Sequence, residues 1–206
     1  TQPTISNVVI QPASVGLGQP VTVTAATSDA LSGIASVTAQ DLTANTAVVP
    51  LLPLSGQPGT FEGTLTTAPP EGDHDIKVTS TDNAGNQNSA TAIGAITVDA
   101  TPPAQVVLTA PIDNYATNDN TPTRIWSSVP GAVRYQLQVA RGNGFNPSEI
   151  EIDLTLLGVT YTLPASLIDG NYFWRVRAID AANNTGNWST INKFLIDTMQ
   201  PDATVD

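Results

Sequence analysis

Gly170-Asn171-Tyr172-Phe173-Trp174-Arg175-Val176-Arg177-Ala178-Ile179-Asp180 alternates two sets of side chains. Tyr172, Trp174, Val176 and Ala178 point one way; Phe173, Arg175, Arg177 and Ile179 point the other. A period of two is the mark of a half-buried β-strand. The first set is large and apolar, which predicts a core-facing surface. The arginines of the second set direct that face to water, with Phe173 and Ile179 among their aliphatic stems. The pattern occurs twice. Gly72-Asp73-His74-Asp75-Ile76-Lys77-Val78-Thr79-Ser80-Thr81-Asp82 repeats it 98 residues earlier.

The match runs without a gap from Gly72 to Pro103 against Gly170 to Pro201. Val78 meets Val176, Asp82 meets Asp180, Ala84 meets Ala182, Asn86 meets Asn184 and Asp99 meets Asp197. Lys77 against Arg175 and Ile96 against Phe194 are conservative. These positions are a turn glycine, core positions, a turn and a linker proline, which a shared backbone constrains. A period near 100 residues is too long for a solenoid unit and fits one small β-sandwich. The chain of 206 residues therefore divides into a module at 1–100 and a second at 101–201. Residues 202–206 read as the start of a further module or a linker. Thr1-Gln2-Pro3 resembles Met199-Gln200-Pro201, so both ends read as cut from a longer array.

Turn signals separate short runs throughout. The first module reads as strands at Thr4–Ile10, at Val21, Val23 and Ala25, and at Ile34–Gln40, where the spacing of Ile34 and Val37 predicts a bulge. Pro50 and Pro53 confine Val48–Leu54 to an edge. Thr60–Thr66, His74–Thr81 and Thr91–Val98 complete seven strands. Asp99-Ala100-Thr101-Pro102-Pro103 is a short, stiff linker. The second module begins at Val106 and Leu108. It continues with Thr121–Ser127, Arg134–Ala140, Ile150–Leu156, Thr160–Leu163, Tyr172–Ile179 and Lys193–Ile196. No helical period occurs, and the fold class is all-β, two tandem sandwiches.

The second module carries a family resemblance. Trp126, the Pro130-Gly131-Ala132 turn, Tyr135 with Leu137 and Val139, and Gly170-x-Tyr172-x-Trp174-Arg175-Val176-Arg177-Ala178 resemble a fibronectin type III domain. In the first module, Asp29-Ala30-Leu31-Ser32-Gly33-Ile34 and Asp82-Asn83-Ala84-Gly85-Asn86 are similar to bacterial immunoglobulin-like repeats. Two departures predict altered corners: Leu163-Pro164 and Leu167-Ile168-Asp169-Gly170 replace the family's Leu-x-Pro approach to Tyr172, and His74 stands where a tyrosine is usual. The resemblance implies a secreted or surface-anchored bacterial protein, in which such modules serve as spacers, stalks, adhesive units or accessory domains of extracellular enzymes.

The composition offers little reactive chemistry. There is no cysteine, one histidine and a net charge of −11. Such acidity argues against nucleic acid and anionic membrane as partners, and no run reaches the length of a membrane helix. No nucleophile elbow or phosphate loop occurs. His74, between Asp73 and Asp75, reads as a strand residue in a core tyrosine's place. The chain therefore reads as no enzyme. Asp29, Asp82, Asp99, Asp180 and Asp197 are hard oxygen donors on turns or at module ends, which suits Ca²⁺; turn aspartates also bond their own amides. Lys77 faces outward and Lys193 opens its strand, which disfavours a buried isopeptide bond.

Ten of the eleven aromatics lie in the second module. Trp126, Tyr135, Tyr172 and Trp174 read as core. Trp188, Tyr115 and Phe145 fall on predicted loops and are the candidates for stacking on a sugar or meeting a protein partner. The leading expectation is a structural or adhesive segment whose partners are neighbouring domains of the same polypeptide, with an extracellular glycan or protein as the alternative.

Overall fold

The computed structural model describes Thr1 to Met199; the expected start of a further module at 202–206 lies outside the described residues. Contacts divide the chain between Thr101 and Pro102, and no helix occurs among the described residues.

In the first unit, β1 (Thr4–Gln11), β3 (Pro20–Ser28) and β6 (Thr60–Thr66) form one layer. The other holds β4 (Ile34–Asp41), β7 (Gly72–Asp82), β8 (Gln87–Val98) and the two-residue β2 (Ser14–Val15), which runs parallel to β8. Alternation places Val21, Val23 and Ala25 of β3 inward, against Val37, Ala39, Ile76, Val78, Ile96 and Val98 of the facing layer. Ile34 pairs with Asp82 and Ser36 with Thr81, so Ala35 is the extra residue of the expected bulge.

β5 (Val49–Pro53) corrects the edge assignment. Its first half lies beside β4 and its second beside β6, so it links the two layers. The proline rule still holds locally, because each half has a neighbour on one side only and leaves the other free for a missing N–H. The crossing needs a bare backbone opposite it. A Cβ on Gly63 would fall 2.6 Å from Leu51 Cδ2 and 2.9 Å from the Pro50 carbonyl oxygen.

The second unit builds a three-stranded layer from β9 (Leu108–Ala110), β11 (Arg124–Trp126) and β14 (Thr160–Tyr161). The five-stranded layer runs β10 (Tyr115–Thr117), β16 (Asn192–Ile196), β15 (Gly170–Asp180), β12 (Ala132–Ala140) and β13 (Ile150–Leu156). The predicted aromatic core is present: Trp126, Tyr135, Tyr172 and Trp174 are all buried. Tyr135 closes the turn before its own strand, accepting the Val129 N–H at 2.8 Å. Gly131, at φ 80°, supplies the left-handed step of that turn.

β7 and β15 share one alternation of buried and outer positions from end to end. Gly72 opposes Val98 and His74 opposes Ile96, as Gly170 opposes Ile196 and Tyr172 opposes Phe194. Ala39 opposes Val78 as Leu137 opposes Val176. The 98-residue offset therefore holds for the β4–β7 and β12–β15 pairs and, in the third strand, as far as His74–Ile96, where a register shift in the first unit ends it. Neither corner is lost. The Tyr172 hydroxyl donates to the Ile168 carbonyl at 2.8 Å, so the changed approach sequence still delivers an acceptor four residues upstream.

Candidate functional site

The five candidate calcium aspartates close turns. Asp29 Oδ1 accepts the N–H groups of Leu31, Ser32 and Gly33 at 3.0, 2.7 and 3.2 Å and the Ser32 hydroxyl at 3.0 Å. These bonds, the Ser32 amide foremost, hold its carboxyl down at about 2. Asp82 and Asp180 use one shared device. Each Oδ1 accepts the backbone N–H of the asparagine four residues on, Asn86 or Asn184, at 2.8 Å. Each Oδ2 accepts the same asparagine's side-chain amide, at 2.8 and 3.0 Å. The Asn86 amide is the main reason that the Asp82 carboxyl lies below its ordinary range. Asp99 Oδ1 accepts from Thr101 N–H and Asp197 Oδ1 from Met199 N–H. Among the described residues, no three His, Cys, Asp or Glu side chains gather into a metal-binding group. Turn closure is thus a sufficient physical reason for the recurrence of Asp and Asn in the repeat.

His74 is fully buried, and its partner comes from another strand. Nδ1 lies 2.6 Å from Oδ2 of Asp41, at the end of β4 and itself buried. Nε2 lies 2.8 Å from the Pro70 carbonyl oxygen. A carbonyl only accepts, so Nε2 carries a proton; the short contact to the carboxylate holds a second. Burial alone would push the histidine pKa down, but the bond to Asp41, helped by Pro70 and by the charges of Asp41 and Asp73, raises it above its ordinary value. A ring held this way offers no free nitrogen to a substrate. Sequence reasoning placed the charge partners at Asp73 and Asp75; Asp41 is reached only through the β4–β7 register.

The three aromatic candidates part company. Phe145 lies on a loop, as expected, but it is buried beneath Arg175, whose guanidinium carbon is 4.0 Å from the ring centroid. That corrects its reading as a presented ligand platform. Trp188 covers the arginines of β15, with Arg175 4.2 Å and Arg177 4.5 Å from its ring centroid. Behind them, Arg175 donates to Gln138 and Arg177 to Gln136, and both glutamines donate to the Asp153 carboxylate. Burial first, then the neighbouring Arg177, lowers the Arg175 pKa. The face expected to lie open to water is therefore a stacked polar ladder. Its signal in the sequence is Gln136 and Gln138 alternating outward, opposite Arg177 and Arg175.

Tyr115 differs from both. It belongs to a short strand, β10, rather than a loop, pairing in parallel with Phe194, and it remains 42% exposed. Its ring borders two clefts. One, of about 490 Å³, is lined by Ala110, Pro111, Ile112, Asp119, Pro122 and Thr123 as well. The other, of about 140 Å³, adds Asn114, Asn171, Lys193 and Leu195. The Pro111-Ile112 wall and Asp119 went unnoticed in the sequence because nothing local links them to Tyr115.

No protein-family model matches the chain, and no curated protein matches it by sequence. Among solved structures, it is similar to the fibronectin(III)-like modules of Clostridium thermocellum CbhA, at 15% identity and TM-score 0.52, over 95% of this chain and 94% of that one. It is also similar to the FN1-FN3 domains of chicken CNTN1, at 14% identity and TM-score 0.50, over 93% of this chain and 66% of that one. What is shared at these identities is the fold: fibronectin III-like and immunoglobulin-like β-sandwiches.

Proposed function

We propose that this chain is a non-catalytic segment of a secreted or cell-surface protein, a pair of sandwich modules that spaces the domains on either side of it. The observation that carries this reading is where the reactive groups are spent. The single histidine is sealed between Asp41 and Pro70, Asp29, Asp82 and Asp180 hold their own turns, and the β15 arginines are stacked and bonded within their own sheet. Such groups stabilise a fold without meeting a substrate. The extracellular setting draws support from the chain's resemblance to bacterial surface repeats.

A spacer must resist extension module by module. Stretching a single molecule of this chain between surface attachments is expected to give two discrete unfolding events. Each should release on the order of 30 nm, the extended reach of roughly 100 residues. Smooth extension at low force, with no separate events, would overturn the spacer reading.

A further inference from the structure

We propose that Tyr115 is the platform of a saccharide-binding cleft on the second module. This goes beyond the spacer role and does not depend on it. Of the three candidate aromatics, Phe145 and Trp188 each stack against Arg175; Tyr115 is 42% exposed and borders both clefts. The larger cleft, at about 490 Å³, falls in the range of small-ligand sites.

The lining chooses the ligand class. Pro111 and Ile112, the latter 64% exposed, extend the apolar floor beside the ring. Asp119 stands at one side; its Oδ1 already accepts the Thr121 N–H and hydroxyl at 2.8 and 3.0 Å, and the exposed carboxylate offers Oδ2 as a further acceptor. Lys193, in the adjoining cleft, can only donate, and Asn171 there does both. A pyranose matches this set. Its C–H face lies flat on an aromatic ring, and its hydroxyls both donate and accept around the rim. A purely apolar ligand would make no use of these polar groups. An extended peptide adding to the sheet edge would find only three residues of β10 to pair with.

The test titrates the isotope-labelled chain, followed by amide chemical shifts, with cellohexaose, xylohexaose, chitohexaose and hexagalacturonate. At least one is expected to give saturable shifts centred on Tyr115, Ile112 and Asp119, reaching Lys193 where the sugar extends into the smaller cleft. Tyr115→Ala should then weaken binding by about tenfold or more, while Trp188→Ala leaves it unchanged. Ile112→Ala, an exposed substitution in the lining of the larger cleft, should weaken it as well, and it serves as the folded control if Tyr115→Ala unfolds. Loss of binding of hexagalacturonate alone in Lys193→Ala would assign an acidic sugar to the smaller cleft. No shifts with any probe at millimolar concentration, shifts centred elsewhere, or unchanged binding in a folded Ile112→Ala or Tyr115→Ala variant would overturn the proposal.

Discussion

Nε2 of His74 lies 2.8 Å from the carbonyl oxygen of Pro70, four residues upstream. In the second module Tyr172 makes the same bond, from its hydroxyl to Ile168, at the same 2.8 Å. The two residues are 98 apart and hold equivalent places in their strands. A histidine therefore completes the corner that a tyrosine completes elsewhere, and the substitution expected to disturb the corner preserves it. The imidazole is shorter than a phenol and has a second nitrogen to satisfy. Asp41 supplies that partner from the position where the second module carries the buried Val139.

That exchange makes the first module sensitive to pH. The folded His74 binds its proton more tightly than its ordinary value of 6.5. A group raised on folding adds stability that is fully present below the unfolded pKa and lost as pH rises through the folded one. The groups facing it are Asp41 from β4, Asp73 on its own strand and the Pro70 carbonyl. The first module should melt at a higher temperature near about pH 6 than near about pH 9. Calorimetry resolves it from the second module, whose unfolding the three tryptophans report alone. Asp41→Asn lets a neutral histidine accept from the amide and still donate to Pro70, so this variant should lose the slope. An unchanged slope in Asp41→Asn would remove His74 as its cause.

Trp174 is fully buried in the second core, among Tyr135, Leu137, Tyr172 and Phe194. Truncating a ring of that size leaves a cavity that a sheet cannot close. Trp174→Ala is expected to destabilise the second module by about 3–5 kcal/mol, measured by denaturant unfolding through the remaining tryptophans. A loss under about 1 kcal/mol would contradict the core assignment.

Much of this architecture was legible because it is local. Alternation in Tyr172–Ala178 and in Val21–Ala25 states which face is buried, and the repeat at 98 residues transfers one reading to the other module. What stayed hidden depends on pairings between distant segments. Ser14–Val15 and Tyr115–Thr117 are too short to alternate, and their strand character comes only from parallel neighbours. β5 changes partner midway, which prolines alone do not announce. Phe145 has the sequence surroundings of an exposed turn, yet Arg175 of β15 draws its ring under cover. The aspartates were readable as turn residues, but which amides each accepts depends on the folded turn.

The Asp180 and Asn184 turn supports a specific test of that bonding. Asp180 is buried and serves both the backbone and the side chain of Asn184. Asp180→Ala should cost about 1–3 kcal/mol by removing the carboxylate that closes its turn, and Asp82→Ala should destabilise the first module in the same direction. If turn closure is the whole role of these carboxylates, millimolar calcium and EDTA should leave both melting transitions where they are. A rise with calcium that Asp29→Asn or Asp82→Asn abolishes would instead assign a metal to that end of the first module.

Arg124 is a fully buried cation of the second module, and its case is the reverse of His74. Its guanidinium donates once, to the Pro122 carbonyl at 2.9 Å, and stands 4.9 Å from the centroid of Phe194. Nε and the second terminal nitrogen find no hydrogen-bond acceptor among the described residues. Burial pushes its pKa down to about 10, which marks a charge held at a cost in a low-dielectric site. An apolar side chain of similar length should fill the space without that cost, since buried charges replaced by well-packed apolar residues are often neutral or stabilising. Arg124→Met is expected to leave the melting temperature of the second module unchanged or raise it. Arg124→Ala, which leaves a cavity against Phe194, should lower it. If Arg124→Met falls as far as Arg124→Ala, the single bond to Pro122 and the stacking on Phe194 outweigh the desolvation of the charge, and Arg124 ranks with His74 as a stabilising buried ion.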